Sequence, residues 1–277
     1  MKTLMYTICS AMVLAMSVNM ANAANNSLLY DGVNDYTHMP YKSLYQTPVF
    51  TYEAWVNPTY NTTSVTAKIM GRGEDFSNDR SAPYLDIRSQ NDTWGTGVGV
   101  GYETNSDTDY VYSTEYFPPI NTWTHLAITR ASDGKLSIYA NGGLLNSWNS
   151  TPTPANLCLQ EFTIGAIWME ASLVSFFKGY VDEVRVWNYA RTGTEIQSYY
   201  NQAINPSSGG LIGYWTFDEG YGTTSIDITG NNNAILGLNG TGSDVPLWMN
   251  TGAPIVPEPA TMVMLALGGL LLRRRMR

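Results

Sequence analysis

Two carboxylates stand out by position. In Lys178-Gly179-Tyr180-Val181-Asp182-Glu183-Val184-Arg185-Val186-Trp187-Asn188, Asp182 shares strand parity with Val184 and Val186. That parity turns Asp182 toward a packed face, where a carboxylate needs a cation or several N–H donors. Asp227 opens a second run, Asp227-Ile228-Thr229-Gly230-Asn231-Asn232-Asn233, rich in side-chain oxygens around a turn glycine. Oxygen ligands on a loop suit calcium. The same residues also suit an Asx-turn at Asp227 and capping of backbone amides by Asp182. Trp94, Trp148, Trp168 and Trp248 fall in segments that read as loops. Exposed aromatics there would stack on sugar rings; packing at the rim of a sandwich uses the same residues. Tyr102, Tyr110, Tyr112 and Tyr116 flank an acidic stretch, Glu103 to Asp109, which is either a polar binding loop or a solvated edge.

Signals for catalysis are poor. His38 and His125 are the only histidines, and no Gly-x-Ser-x-Gly nucleophile elbow occurs. A glycoside hydrolase needs two carboxylates placed across a cleft. No strand carries a closely spaced carboxylate trio on one face. Glu183 and Arg185 share a face opposite Asp182 and read as surface cross-strand partners rather than an acid/base pair.

These residues must be positioned by strands. Phe50-Thr51-Tyr52-Glu53-Ala54-Trp55-Val56 alternates, with Phe50, Tyr52, Ala54 and Val56 on one face. Trp123 to Arg130 is a second strand, turned by Ser132-Asp133-Gly134 into a third, Lys135 to Ala140. Asn141-Gly142 then marks a hairpin, because both central residues of a type I′ turn need positive φ. Tyr84–Ile87, Val98–Tyr102, Phe162–Gly165 and Tyr180–Trp187 read as further strands. One helix is predicted after Thr192, where Thr192 caps and Glu195 answers in a capping box. Many short strands with one small helix predict an all-β, two-sheet antiparallel sandwich over residues 24–250.

The ends read as addresses. The chain has 277 residues, 15 Lys+Arg, 23 Asp+Glu and a net charge of −8. Five of the basic residues (Lys2, Arg273, Arg274, Arg275 and Arg277) lie at the termini against one acid, Glu258, so the remainder stands at −12. An acidic body is a poor match to nucleic acid, which is bound through Lys and Arg. Residues 1–23 have the shape of a secretory signal peptide: Lys2, an apolar run, then Ala21-Asn22-Ala23 with small residues at the two positions a signal peptidase inspects. Cys158 is the only cysteine beyond that leader, which leaves no intrachain disulfide and suggests a small buried hydrophobe. In residues 251–277, Pro257-Glu258-Pro259 precedes an apolar run to Leu272 and an arginine cluster. Ala260 to Leu272 as a helix spans about 20 Å at ~1.5 Å per residue, short of a hydrocarbon core of about 30 Å. An ordinary short anchor without sorting is the alternative reading. The order of the three elements resembles the PEP-CTERM sorting signal of exopolysaccharide-producing Gram-negative bacteria. That resemblance implies export, transient retention in the inner membrane with the arginines cytoplasmic, and processing by an exosortase.

The body resembles a family as well. Leu29-Tyr30-Asp31-Gly32-Val33-Asn34-Asp35-Tyr36, the strand Phe50 to Val56, Trp123-Thr124-His125-Leu126-Ala127 with Tyr139-Ala140-Asn141-Gly142, Lys178 to Asn188, and Tyr214-Trp215-Thr216-Phe217-Asp218-Glu219-Gly220 follow one another as in concanavalin A-like, LamG-type jelly rolls. The resemblance implies two packed antiparallel sheets, a concave face used for glycans or proteins, and a structural calcium near the Asp182 and Asp227 motifs. Asp182, Asp227, Asn231 and Asn233 are then the calcium candidates, and Trp94, Trp148 and Trp168 the ligand-binding candidates. The expected function is an exported surface or matrix protein that binds polysaccharide or another matrix component. A polysaccharide-cleaving enzyme on the same fold and a purely structural matrix protein are the alternatives.

Overall fold

The computed structural model describes residues 25–75, 80–81, 83–93, 95–103, 109–149, 160–169 and 171–256. Ala21, Ala23, Trp94, Cys158 and Pro257-Glu258-Pro259 lie outside the described residues.

Strand Phe50–Pro58 sets the architecture. Its even residues Phe50, Tyr52, Ala54 and Val56 belong to the main core, as the alternation requires. It pairs antiparallel with Thr124–Arg130 on one side and Lys178–Trp187 on the other. The first sheet runs Gly143–Asn149, Lys135–Ala140, Thr124–Arg130, Phe50–Pro58, Lys178–Trp187, Ser27–Asp31 and Leu247–Met249, with Leu211–Trp215 also joined to Lys178–Trp187. The second runs Thr224–Ser225, Ala234–Leu236, Thr37–Met39, Phe162–Ile164, Ala67–Arg72, Tyr84–Arg88, Gly97–Glu103 and Asp109–Ser113. A smaller sheet carries Ser172–Val174, Ile167–Met169, Glu74–Asp75 and Arg80–Ser81. The inner faces of the two large sheets meet in one core that includes Leu28, Met70, Leu85, Ile87, Val100, Ile128, Ile138, Phe162 and Trp215. Each such aliphatic or aromatic side chain contributes about 1.5–3 kcal/mol by leaving water. The molecule is therefore the antiparallel sandwich expected, with one short helix.

Local signals are met where they were read. Asn141 and Gly142 both take positive φ, at 47° and 78°, and the Asn141 side-chain oxygen Oδ1 accepts from the His125 backbone amide. The helix Gly193–Tyr199 starts at Thr192, whose hydroxyl accepts from Glu195 N while the Glu195 carboxylate accepts from Thr192 N.

Four expectations are corrected. Trp148, Trp168 and Trp248 stand on strands, Gly143–Asn149, Ile167–Met169 and Leu247–Met249, not on loops. Gly143–Asn149 and Leu247–Met249 are the two edges of the first sheet, and Ile167–Met169 and Leu247–Met249 are only three residues long, too short for alternation to show. Asp182 does not share the inward face of Val184 and Val186. Register pairs Val181 with Val56 and Asp182 with Trp55, then resumes at Arg185 with Glu53 and Val186 with Tyr52. Glu183, at φ 52°, is the additional residue of a β-bulge. One added residue reverses the alternation, so Asp182 joins the outward row of Trp55. Glu183 and Arg185 do pair, at 2.7 Å, but both are buried rather than on the surface. The body also continues past residue 250: Ala253 is fully buried and donates to Asp182 Oδ2, and Val256 bonds across to Asn201 and Ala203.

Candidate functional site

Outward positions of the second sheet are polar and aromatic. Register across it aligns His38, Thr163, Gly71 and Tyr84, and beside that row Lys68 with Asp86. At one end Tyr36 lies 5.8 Å from His38 and 6.5 Å edge-on from Trp168, centroid to centroid. His38 Nδ1 is 2.7 Å from Glu161 Oε2. Trp168 is half-buried, and among the described residues neither its buried indole N–H nor the buried His38 Nε2, an acceptor when Nδ1 donates to Glu161, has a hydrogen-bond partner. At the other end Asp86 Oδ2 is held by Lys68 Nζ at 2.9 Å and by Arg88 Nη2 at 3.0 Å, and Lys68 lies 3.5 Å over the Tyr84 ring. Burial lowers the Lys68 pKa, but Asp86 and Tyr84 more than offset it and hold the ammonium above its ordinary value. Gly99 makes room for this cluster: a Cβ there would stand 2.8 Å from Asp86 Oδ1. Tyr36, His38, Lys68, Tyr84, Asp86 and Arg88 are buried, so what this face offers is the half-buried Trp168 ring and the Glu161 carboxylate, a pair that can hold a hydroxylated ring.

Around Glu53 the outward face of the first sheet is covered. Glu53 Oε1 receives Arg191 Nη1 at 2.6 Å and Glu53 Oε2 receives His125 Nε2 at 3.1 Å. Arg185 Nη2 reaches Glu183 Oε2, and the Tyr214 hydroxyl donates to the same oxygen. Burial raises the Glu53 pKa, but the His125 hydrogen bond with Arg191 and Arg185 brings it down to about 2. Burial leaves His125 below its ordinary value in spite of Glu53. The imidazole is therefore neutral at pH 7, and it donates to Glu53 as a hydrogen bond rather than an ion pair. His125 is a buried structural group and makes no approach to a cleft.

Do the calcium candidates fit an ion? Asp227 Oδ1 accepts from Tyr214 N, Thr229 N and Thr229 Oγ1; Asp227 Oδ2 accepts from Asn231 N and Asn232 N. Asn233 Oδ1 accepts from Asp227 N, and Asn231 spends its amide N–H groups on Ile212 O and Thr229 Oγ1. Asp182 accepts from Glu183 N and Ala253 N. The oxygens of Asp227, Asp182 and Asn233 thus already face donors, an arrangement that satisfies the carboxylates without metal. Among the described residues no group of three or more His, Cys, Asp or Glu is placed to share a metal ion. As arranged, the four residues do not fit a calcium site.

The tryptophans separate. Trp168 stands on the candidate face with Tyr36 and His38. Trp148 packs on Tyr112 at 5.2 Å against the core, and Trp248 donates to Gly222 O. Tyr36, His38 and Glu161 escaped the sequence reading of this face, as did Lys68, Tyr84, Asp86 and Arg88. One signal for them existed: Gly97-Val98-Gly99-Val100-Gly101 places glycine at every second position, which clears one face of a strand for its neighbour's side chains.

A family model for the concanavalin A-like lectin/glucanase superfamily, laminin G type, matches residues 31–197, more than half of the chain. Among solved structures, a proposed carbohydrate-binding protein from Bacteroides ovatus ATCC 8483 matches at TM-score 0.64 and 23% identity, over 84% of this chain and 62% of that one. A heptameric SAP-like pentraxin from Limulus polyphemus matches at TM-score 0.48 and 12% identity, over 78% of this chain and 96% of the pentraxin. Domain 4 of an extracellular arabinanase from Geobacillus stearothermophilus, solved with arabinotriose, matches at TM-score 0.47 and 21% identity, over 62% and 75%. This chain thus spans under two thirds of the Bacteroides protein's length, and likenesses at these identities concern the fold. No curated protein matches the sequence. With its two antiparallel sheets packed on one core and the family model matched over more than half of its length, the chain belongs to the concanavalin A-like lectin/glucanase superfamily.

Proposed function

We propose that this is an exported polysaccharide-binding protein of the cell surface or extracellular matrix, which engages its glycan on the outward face of the second sheet. The observation that carries the reading is the cluster of Tyr36, His38, Trp168 and Glu161. It sets the half-buried Trp168 ring, backed by the buried Tyr36 and His38, beside the half-buried Glu161 carboxylate, a pairing that stacks a sugar on the indole and accepts a hydroxyl at the carboxylate. Lectin-type membership supports it, as does the Bacteroides protein's own proposed role. The leader and the Pro257-Glu258-Pro259 tail support delivery through the inner membrane, with an exosortase as the processing partner. The test incubates purified protein with the producer's exopolysaccharide. Retention without shortening is expected, reduced at least about tenfold by Trp168→Ala. New reducing ends or unsaturated products would instead make the protein an enzyme. Replacing Pro257-Glu258-Pro259 by alanines is expected to block tail processing; normal release of that variant would remove the sorting role.

A further inference from the structure

A cavity of about 660 Å³ opens on the opposite side of the sandwich, beside the helix. Trp187, Tyr189 and Tyr199 supply aromatic wall, and Glu195, Gln202 and Asn205 are among its polar groups. Trp187 belongs to the outward row of the first sheet, opposite Thr51. The cavity and the Trp168 cluster therefore lie on different sheets, facing away from each other. We propose that this cavity is a second saccharide site, taking one or two neutral sugar units, so that one molecule can join two glycan chains.

Charge and polarity select the ligand class. Arg191 borders the cavity, but its guanidinium is neutralised by Glu53 at 2.6 Å. Glu195 stays anionic: burial raises its pKa, and the bonds from Thr192 and Tyr189 lower it further than burial lifts it. A phosphate or carboxylate ligand would face Glu195 with no free cation to offset it. A purely apolar ligand would take water from the remaining lone pairs and N–H groups of Glu195, Gln202 and Asn205, each of which has only part of its capacity met by Tyr189, Thr192, Ser198 and Ser207. A neutral polyol satisfies both conditions, with its C–H face on a ring such as Tyr199, which is 46% exposed.

The wall is also preformed. Arg185 Nη1 donates to Tyr199 O and Nη2 to Gln202 O; Arg191 Nη2 donates to Glu195 O; Trp55 Nε1 donates to Tyr200 O. The buried charges of the first sheet therefore hold the backbone that frames the cavity. Sugars exchange water hydrogen bonds for protein ones at little net gain, so a wall that needs no ordering matters to their affinity.

The test titrates the full chain calorimetrically with neutral trisaccharides of glucose, mannose, galactose and xylose. Binding of at least one, in the range of about 0.1–1 mM, is expected. Tyr199→Ala should weaken it about tenfold or more. Gly209→Trp should abolish it by filling the cavity, since a Cβ at Gly209 meets nothing within 4 Å and the fold is not strained. Melting midpoints of both variants should match the parent. Failure of every trisaccharide to bind would overturn the proposal. So would binding that Gly209→Trp leaves unchanged; were that binding lost only in Trp168→Ala, the reading of the other face would stand alone.

Discussion

Asp227 illustrates how one carboxylate can organise a loop. Five donors from Tyr214, Thr229, Asn231 and Asn232 converge on its two oxygens. Asp227→Ala would leave buried amides without an acceptor and is expected to cost about 3 kcal/mol, read from denaturant unfolding. With those donors in place, neither EDTA nor calcium should move the melting midpoint of the parent protein. A rise of several degrees with calcium would show that the loop rearranges around the ion. Asp35 makes a different prediction. Burial first, then the charges of Asp31 and Asp244, raise it from 3.8 to about 6, against a lowering contribution from the Asp31 amide. A carboxyl that binds its proton more tightly in the folded state stabilises that state below about pH 4, and the contribution is lost as pH rises through 6. Thermal stability should therefore fall between pH 4.5 and 7, and Asp35→Asn, which still accepts from the Asp31 amide, should flatten that slope. An unchanged slope would assign it to other groups.

At the scale of elements, the helix and the sheet beneath it act together. Thr192→Ala removes the cap and should cost about 1 kcal/mol. Glu53→Ala should cost more, about 3–5 kcal/mol, because Arg191 and Arg185 would keep buried charge without their shared acceptor. Urea unfolding of both variants checks the order; a Glu53 variant no worse than the Thr192 variant would show that water readily replaces the carboxylate. The helix start was legible because Thr192 and Glu195 are three residues apart and interact with each other's backbone. The hairpin at Asn141-Gly142 was legible because positive φ selects those residue types. The bulge at Glu183 was not. Glutamate has no preference for φ 52°, and what holds it there is Arg185 and Tyr214 on its carboxylate, the latter 31 residues away. Missing that bulge reversed the face of Asp182; Arg185 does point outward, and its burial comes from the segment Tyr199 to Gln202 that covers it, which no local pattern records.

Over the whole molecule, the last described residues belong to the sandwich. Ser27 Oγ donates to Thr251 O, Ala253 N donates to Asp182, and Val256 lies alongside Gln202. A chain ending at Asn250 should melt several degrees below one ending at Val256; equal midpoints would return residues 251–256 to the tail. Alone, the sequence determined the β-sandwich class, most strand positions, the hairpin and the helix cap, together with a strong resemblance to the lectin/glucanase superfamily. Those features depend on a period of two and on residue types at fixed short spacing, so they are written locally. Tertiary structure decided which parts of each outward face are covered and which stay accessible. It brought Trp168 to Tyr36 and His38 across some 130 positions of sequence, and it set Glu53, Arg185 and Arg191 under a helix instead of in water. Such placements follow from register between distant strands, where one inserted residue exchanges the two faces, and no local pattern records that exchange.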